Sequence, residues 1–97
     1  MNVKSTQPAP EPGTGDVWID VINDALHRGF SEELILAMVR RRQMGKEKYG
    51  RFLQYNNGRD ALLDCQEEAL DLLAYAQQLG DSDVKSKARS VLLELFA

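Results

Sequence analysis

Five acidic residues, Asp60, Asp64, Glu67, Glu68 and Asp71, fall within twelve positions, and no basic residue interrupts them. A helix through this stretch, turning about 100° per residue, gathers Asp60, Asp64, Glu68, Asp71 and Tyr75 into a stripe about 80° wide, with Glu67 and Gln78 at its border. Like charges three and four residues apart repel, so the stack weakens an isolated helix by roughly 0.2–0.5 kcal/mol per pair. A bound divalent cation reverses that sign. Oxygen donors without nitrogen or sulfur suit Mg²⁺ or Mn²⁺, and Mg²⁺ takes one or two carboxylates together with waters and substrate phosphates. The same stripe also reads as a solvated acidic face balanced by the basic segment before it.

That basic segment, Arg40–Arg51, holds Arg40, Arg41, Arg42, Lys46, Lys48 and Arg51 against the single acidic Glu47. Basic residues at the end of a helix complement its dipole, which is the simpler reading, and they are also what a phosphate group needs. Three of the seven aromatic residues, Tyr49, Phe52 and Tyr55, lie in the same glycine-flanked region, where rings either pack in a core or stack on a base. His27, with no second histidine and one cysteine in the chain, reads as a dipole partner at a helix end. Cys65, Trp18, Met38 and Met44 read as packing residues.

Composition bounds the function classes. Fifteen acidic and twelve basic residues give a net charge of −3 and a sequence pI near 5.1, which disfavours a dedicated nucleic-acid binder. One cysteine excludes an intramolecular disulfide and, with one histidine, leaves no cluster for structural zinc. No apolar run reaches the roughly eighteen residues of a membrane span, and the start of the chain lacks the order of a signal peptide. A reducing, cytoplasmic location is expected.

The elements that must position these groups follow from capping residues and glycine stops. Residues 1–15 carry all three prolines, Pro8, Pro10 and Pro12, and are expected to form a disordered tail, leaving 16–97 as one all-α domain. A first helix is predicted from the cap Asp16 to about Gly29, and a second from Ser31, with Glu32 and Glu33 in its first turn, fraying before Gly50. The loop signal Tyr55–Asn56–Asn57–Gly58 separates it from a third helix, Arg59 to Leu79, that ends at Gly80. A fourth follows an Asp81 or Ser82 cap. The third helix is apolar over most of its remaining arc, and about eighty foldable residues bury little surface alone. A helical bundle of about four helices, completed by homo-oligomerisation into a dimer or tetramer, is the expected architecture.

Taken together, Arg41–x–x–Met44–Gly45–x–x–Lys48–Tyr49–Gly50, then Asn57–Gly58–Arg59–Asp60–Ala61–Leu62, Asp64 and Gln66–Glu67–Glu68–Ala69–Leu70–Asp71–Leu72, resemble a known family. They are similar to small phage and prophage proteins of the MazG-like, all-α nucleoside triphosphate pyrophosphohydrolase type. The likeness spans about residues 35–79. It implies a helical oligomer in which acidic residues of neighbouring helices hold Mg²⁺ and cleave a nucleoside triphosphate to monophosphate and pyrophosphate, in the host cytoplasm for a phage-encoded chain. Glu68–x–x–Asp71 matches the E-x-x-D half of the metal motif. The E-x-x-E half has no counterpart: Glu32 and Glu33 lie at the far end of the preceding helix, and Glu47 is the only later acidic residue on it.

From these features the leading expectation is Mg²⁺-dependent pyrophosphohydrolysis of a nucleotide substrate, with Mn²⁺ as the alternative ion. Asp64, Glu68 and Asp71 would coordinate metal with Asp60 or a second chain adding oxygens, and Glu67 would orient the attacking water. Lys48, Arg51 and Arg59 would hold phosphate, with Tyr49 beside them. Two alternatives stand next to it: a helical protein that binds or sequesters nucleotides without turnover, and a small regulator whose Arg40–Arg51 face meets nucleic acid or a protein partner.

Overall fold

The computed structural model describes residues 7–97 and places four α-helices in them. They are α1 (Val17–His27), α2 (Glu32–Tyr49), α3 (Ala61–Leu79) and α4 (Ser82–Leu95). Each begins on a side-chain cap. Asp16 accepts from the Ile19 N–H, Ser31 from Leu34, Asp60 from Leu63, and Asp81 from both Asp83 and Val84. Such caps satisfy backbone donors that have no partner inside the helix, and each stabilises the start by about 1 kcal/mol. Gly50 and Gly80 close α2 and α3 in the left-handed conformation, at φ 80° and 79°.

Two boundaries differ from the expected ones. The third helix starts at Ala61, because Asp60 is its extended cap and Arg59 stands outside it. The second helix runs unbroken through Gly45 to Tyr49, where sequence predicts fraying. A glycine inside a helix costs about 1 kcal/mol relative to alanine, an amount that packing against a neighbouring element readily offsets. Gly45 is half-buried, on the side of α2 that also carries Met38 and Arg42.

The described residues divide into two compact units, 8–59 and 60–97, with Gln7 belonging to the second. In the 8–59 unit, α1 packs on α2 around buried Ile22 and Ala25, with Trp18, Ile35 and Met38 half-buried. Residues 1–6 of the expected tail lie outside the described residues. The remainder is held in place: Thr14 and Tyr55 form an antiparallel bridge with hydrogen bonds of 2.8 and 2.9 Å, flanked by Glu11 N–H to Asn57 O (2.8 Å) and Val17 N–H to Leu53 O (3.0 Å). The prolines are compatible with this because none of them is asked to donate. Gly13 is required there, since a Cβ would collide with the Tyr55 carbonyl oxygen. Asn57 is buried, with its side-chain oxygen accepting from the Arg59 N–H at 3.2 Å, and Asn56 and Gly58 adopt positive φ on either side.

In the other unit, α3 packs on α4 through small residues. Ala69, Ala76 and Ala88 are buried, and Leu73, Val84, Leu92 and Leu95 are half-buried around them. Alanines at the contact let two helices approach closely but contribute little buried apolar area. Gln66 Nε2 donates to the Leu95 carbonyl at 2.8 Å, fixing the last turn of α4 against α3. Among the described residues no large side chain is fully buried, whereas Leu62, Leu70, Leu79, Leu93 and Met44 each keep about half or more of their surface exposed. Cys65, expected in the core from its apolar neighbours, is exposed.

Candidate functional site

The carboxylates on α3 share a side of the helix, as their spacing requires. Ala69, Leu73 and Ala76 define the side that meets α4, and Asp64, Glu68, Asp71 and Tyr75 lie on the side turned away from it. Glu68, Asp71 and Tyr75 are exposed, and Glu67 and Asp64 are half-buried. Asp60 is already used: its Oδ1 accepts from the Leu63 N–H at 3.1 Å and caps α3. Asp64 is engaged as well, accepting from Gln7 Nε2 at 2.7 Å.

Among the described residues no three carboxylate, imidazole or thiolate side chains converge as a metal-holding group. The donor chemistry nonetheless suits Mg²⁺ bound in its usual manner, through one or two carboxylates with the remaining positions left to water and phosphate. Glu68 and Asp71, three residues apart on one side, offer such a pair, and Asp64 is four residues before Glu68. A closed, all-protein cage is not available from one chain's described residues.

The candidate phosphate-binding residues belong to the 8–59 unit, and the structure separates structural cations there from exposed ones. Arg42 donates to Asp16 Oδ2 through Nε at 3.1 Å and Nη2 at 2.8 Å, while its guanidinium carbon sits 3.5 Å from the centre of the Phe52 ring. Lys46 Nζ stands 4.8 Å from the same ring centre. Phe52 is thus a platform under two cations. The Arg42 guanidinium holds the Asp16 carboxyl below its ordinary range, and the Ile19 N–H adds to the effect. Asp16 therefore acts twice, as helix cap and as ion-pair partner.

Tyr55, a candidate stacking ring, donates its hydroxyl to Asp20 Oδ2 at 2.6 Å, which pushes the phenol up from its ordinary value because ionisation would set two negative charges together. Tyr49 and Arg51 are exposed, and Lys48 Nζ lies 5.1 Å from the Tyr49 ring centre. Arg59 is half-buried and donates through Nη1 to the Pro8 carbonyl at 2.7 Å.

A shallow depression of about 340 Å³ is lined by Asn23, Leu26 and His27. It contains none of the candidate residues, and its single imidazole has no acidic or nucleophilic neighbour in the lining with which to work. Two features escape sequence reasoning, Gln7 and the Asp16–Arg42–Phe52 arrangement. Nothing in the sequence flags Gln7, whereas Asp16 and Arg42 are each legible singly, as a cap and as a dipole partner. No family model, no curated protein and no solved structure matches this chain.

Proposed function

We propose that the chain is a subunit of a homo-oligomeric, Mg²⁺-dependent nucleoside triphosphate pyrophosphohydrolase that releases nucleoside monophosphate and pyrophosphate. The observation that carries the reading is the outer side of α3, where Asp64, Glu68 and Asp71 stack with no interleaved base. Glu68 would hold the ion with Asp71 or with Asp64, two carboxylates at a time, the remaining positions going to water and substrate phosphate. When bound, Mg²⁺ would supply charge neutralisation at the phosphates. Glu67, at the border of that side, would orient water, and Lys48, Arg51 and Arg59 would carry phosphate charge, with Tyr49 offering a ring to the base. Incubation with a nucleotide panel and Mg²⁺, followed by separation of products, is expected to yield monophosphate and pyrophosphate. Release of inorganic phosphate alone, or no product with any nucleotide, would overturn this reading.

A second reading, nucleotide binding without turnover, is favoured by one specific observation: no three carboxylates converge among the described residues. Stoichiometric nucleotide binding with no product identifies it.

Oligomerisation is supported by the burial pattern. Among the described residues the buried apolar ones are Ile22 and four alanines, and large side chains such as Leu36, Val39, Leu70, Leu72, Val91 and Leu93 are each more than two-fifths exposed. Each kilocalorie of hydrophobic stabilisation needs about 40 Å² of apolar surface removed from water, at about 25 cal/mol per Å². A second copy supplies that surface. Light scattering coupled to gel filtration is expected to give at least twice the chain mass of 10.9 kDa at micromolar concentration. A monomer peak would remove the homo-oligomer from the proposal.

A further inference from the structure

Helix α2 runs for 18 residues without burying one of them, although α1 packs along it. Its exposed side chains include a row at heptad spacing, Leu34, Ala37, Arg41, Met44 and Lys48, which a turn of about 100° per residue confines to an arc of about 80°. Helix α3 carries a matching row, Cys65, Glu68, Leu72, Tyr75 and Leu79, also exposed throughout and next to the side that meets α4. Leu34 is 44% exposed, Met44 51%, Leu72 46% and Leu79 69%, so neither row is covered by the helix packed alongside. Side chains repeating at three and four residues are what two helices need to interdigitate.

The two rows are graded in opposite senses. Along α2 the row starts apolar and turns basic, with Arg41 and Lys48 in it and Arg40 at its border; along α3 it starts acidic, with Glu68 in it and Asp71 at its border, and turns apolar. Antiparallel contact therefore sets apolar on apolar and base on acid. Parallel contact instead brings Glu32 and Glu33, in the first turn of α2, to the acidic half of α3. The side chains of Arg41 and Glu68 have no hydrogen bond or ion pair among the described residues. Because one chain carries both complementary rows, a twofold axis satisfies both at once.

We infer that α2 docks antiparallel on α3 of a second copy of this chain, reciprocally, with Leu34 against Tyr75, Ala37 against Leu72, Arg41 against Glu68 and Met44 against Cys65. The inference rests on the homo-oligomer reading and names its surface. A carboxylate offers about four lone-pair positions, so a guanidinium on Glu68 leaves room for an ion there.

Arg41→Glu and Glu68→Arg, each in the full chain and without divalent cation, test this by sedimentation equilibrium. Each alone should weaken self-association about tenfold or more, because every altered contact occurs twice and an attraction between exposed charges becomes a repulsion of similar size. An equimolar mixture of the two variants should associate as a heterodimer within about threefold of wild-type affinity, because each reversed charge then meets the other. Met44→Cys under mild oxidation should join Cys65 of the other chain in a disulfide-linked dimer, a bond that needs Cα atoms within about 7 Å. Peptide mass spectrometry identifies it. Self-association that neither variant weakens, with no 44–65 cross-link, would overturn the pairing and leave the homo-oligomer standing. Variants that stay weak when mixed, or a 44–65 bond that leaves the chain monomeric, would overturn the second copy as occupant. A monomeric wild type would overturn the inference together with the oligomer reading beneath it. Circular dichroism of each variant checks that the helices are intact.

Discussion

Asp71→Asn is expected to act in opposite directions with and without divalent cation. Without it, the substitution removes one member of the Asp64, Glu68, Asp71 stack, and because Asp71 is exposed and makes no hydrogen bond or ion pair among the described residues, nothing else is lost. Relief of its like-charge contacts with Glu68 and Glu67, three and four residues away, should raise stability by roughly 0.2–0.5 kcal/mol each. With Mg²⁺, the proposed cation site predicts that the wild-type chain should gain stability through linkage, about 2.7 kcal/mol when the free ion is at a hundred times its dissociation constant. The variant should lose most of that gain. Turnover should fall by at least the roughly 10–100-fold that even an outer partner of a metal ligand contributes. Differential scanning calorimetry at fixed chain concentration, with and without Mg²⁺, reads both signs. Identical Mg²⁺ responses in wild type and variant would return the stripe to a solvated acidic face.

The contrast between Asp71 and Asp60 shows how far the sequence carries. Co-facial placement follows from the helical period alone, so the carboxylate side of α3 is legible in the order of its residues. Which of its members is already committed is not legible there, because that depends on partners outside the helix. Asp60 is the cap of α3, a role its place before an apolar run permits, and Asp64 takes Gln7, fifty-seven positions away in sequence. Capping and glycine stops are local chemistry, and all four helices are readable from them. The bridge between Thr14 and Tyr55 is not readable: a pairing of so few residues across forty-one positions leaves no alternation, and the prolines beside it point the other way. Cys65 misleads for a related reason, since an apolar neighbourhood along one helix does not say whether another element arrives to cover it. In the same way Arg42 is one more cation in a basic run until Asp16 and Phe52 are placed on either side of it.

Asp16→Ala is expected to be the most destabilising single substitution of a charged residue in the 8–59 unit, by about 2 kcal/mol. The helix cap accounts for about half, since replacing an aspartate cap by alanine typically costs about 1 kcal/mol. The rest comes from Arg42, which loses its carboxylate partner while still lying over Phe52. The two side chains retain 22–25% of their surface in contact with solvent, so this loss is well below that of a fully buried pair. Asp16→Asn separates the two parts, because asparagine caps a helix as well as aspartate but carries no charge, and it should cost about 1 kcal/mol. The ion-pair part has a definite pH dependence. The folded-state pKa of Asp16 lies below its ordinary value of 3.8, so the contribution is fully present above that value and disappears as pH falls through the lower folded one. The gap between wild type and Asp16→Asn should therefore be constant at neutral pH and close in acid. Tyr55 has the reverse sign: its folded pKa lies above 10.0, so its bond to Asp20 contributes fully below that value and is lost as pH rises through the folded one. Urea titrations, which leave ionic strength unchanged, measure all three chains at matched concentration. An Asp16→Ala chain as stable as wild type would remove both contributions, and an Asp16→Asn chain as weak as Asp16→Ala would assign the whole effect to Arg42 and none to the cap.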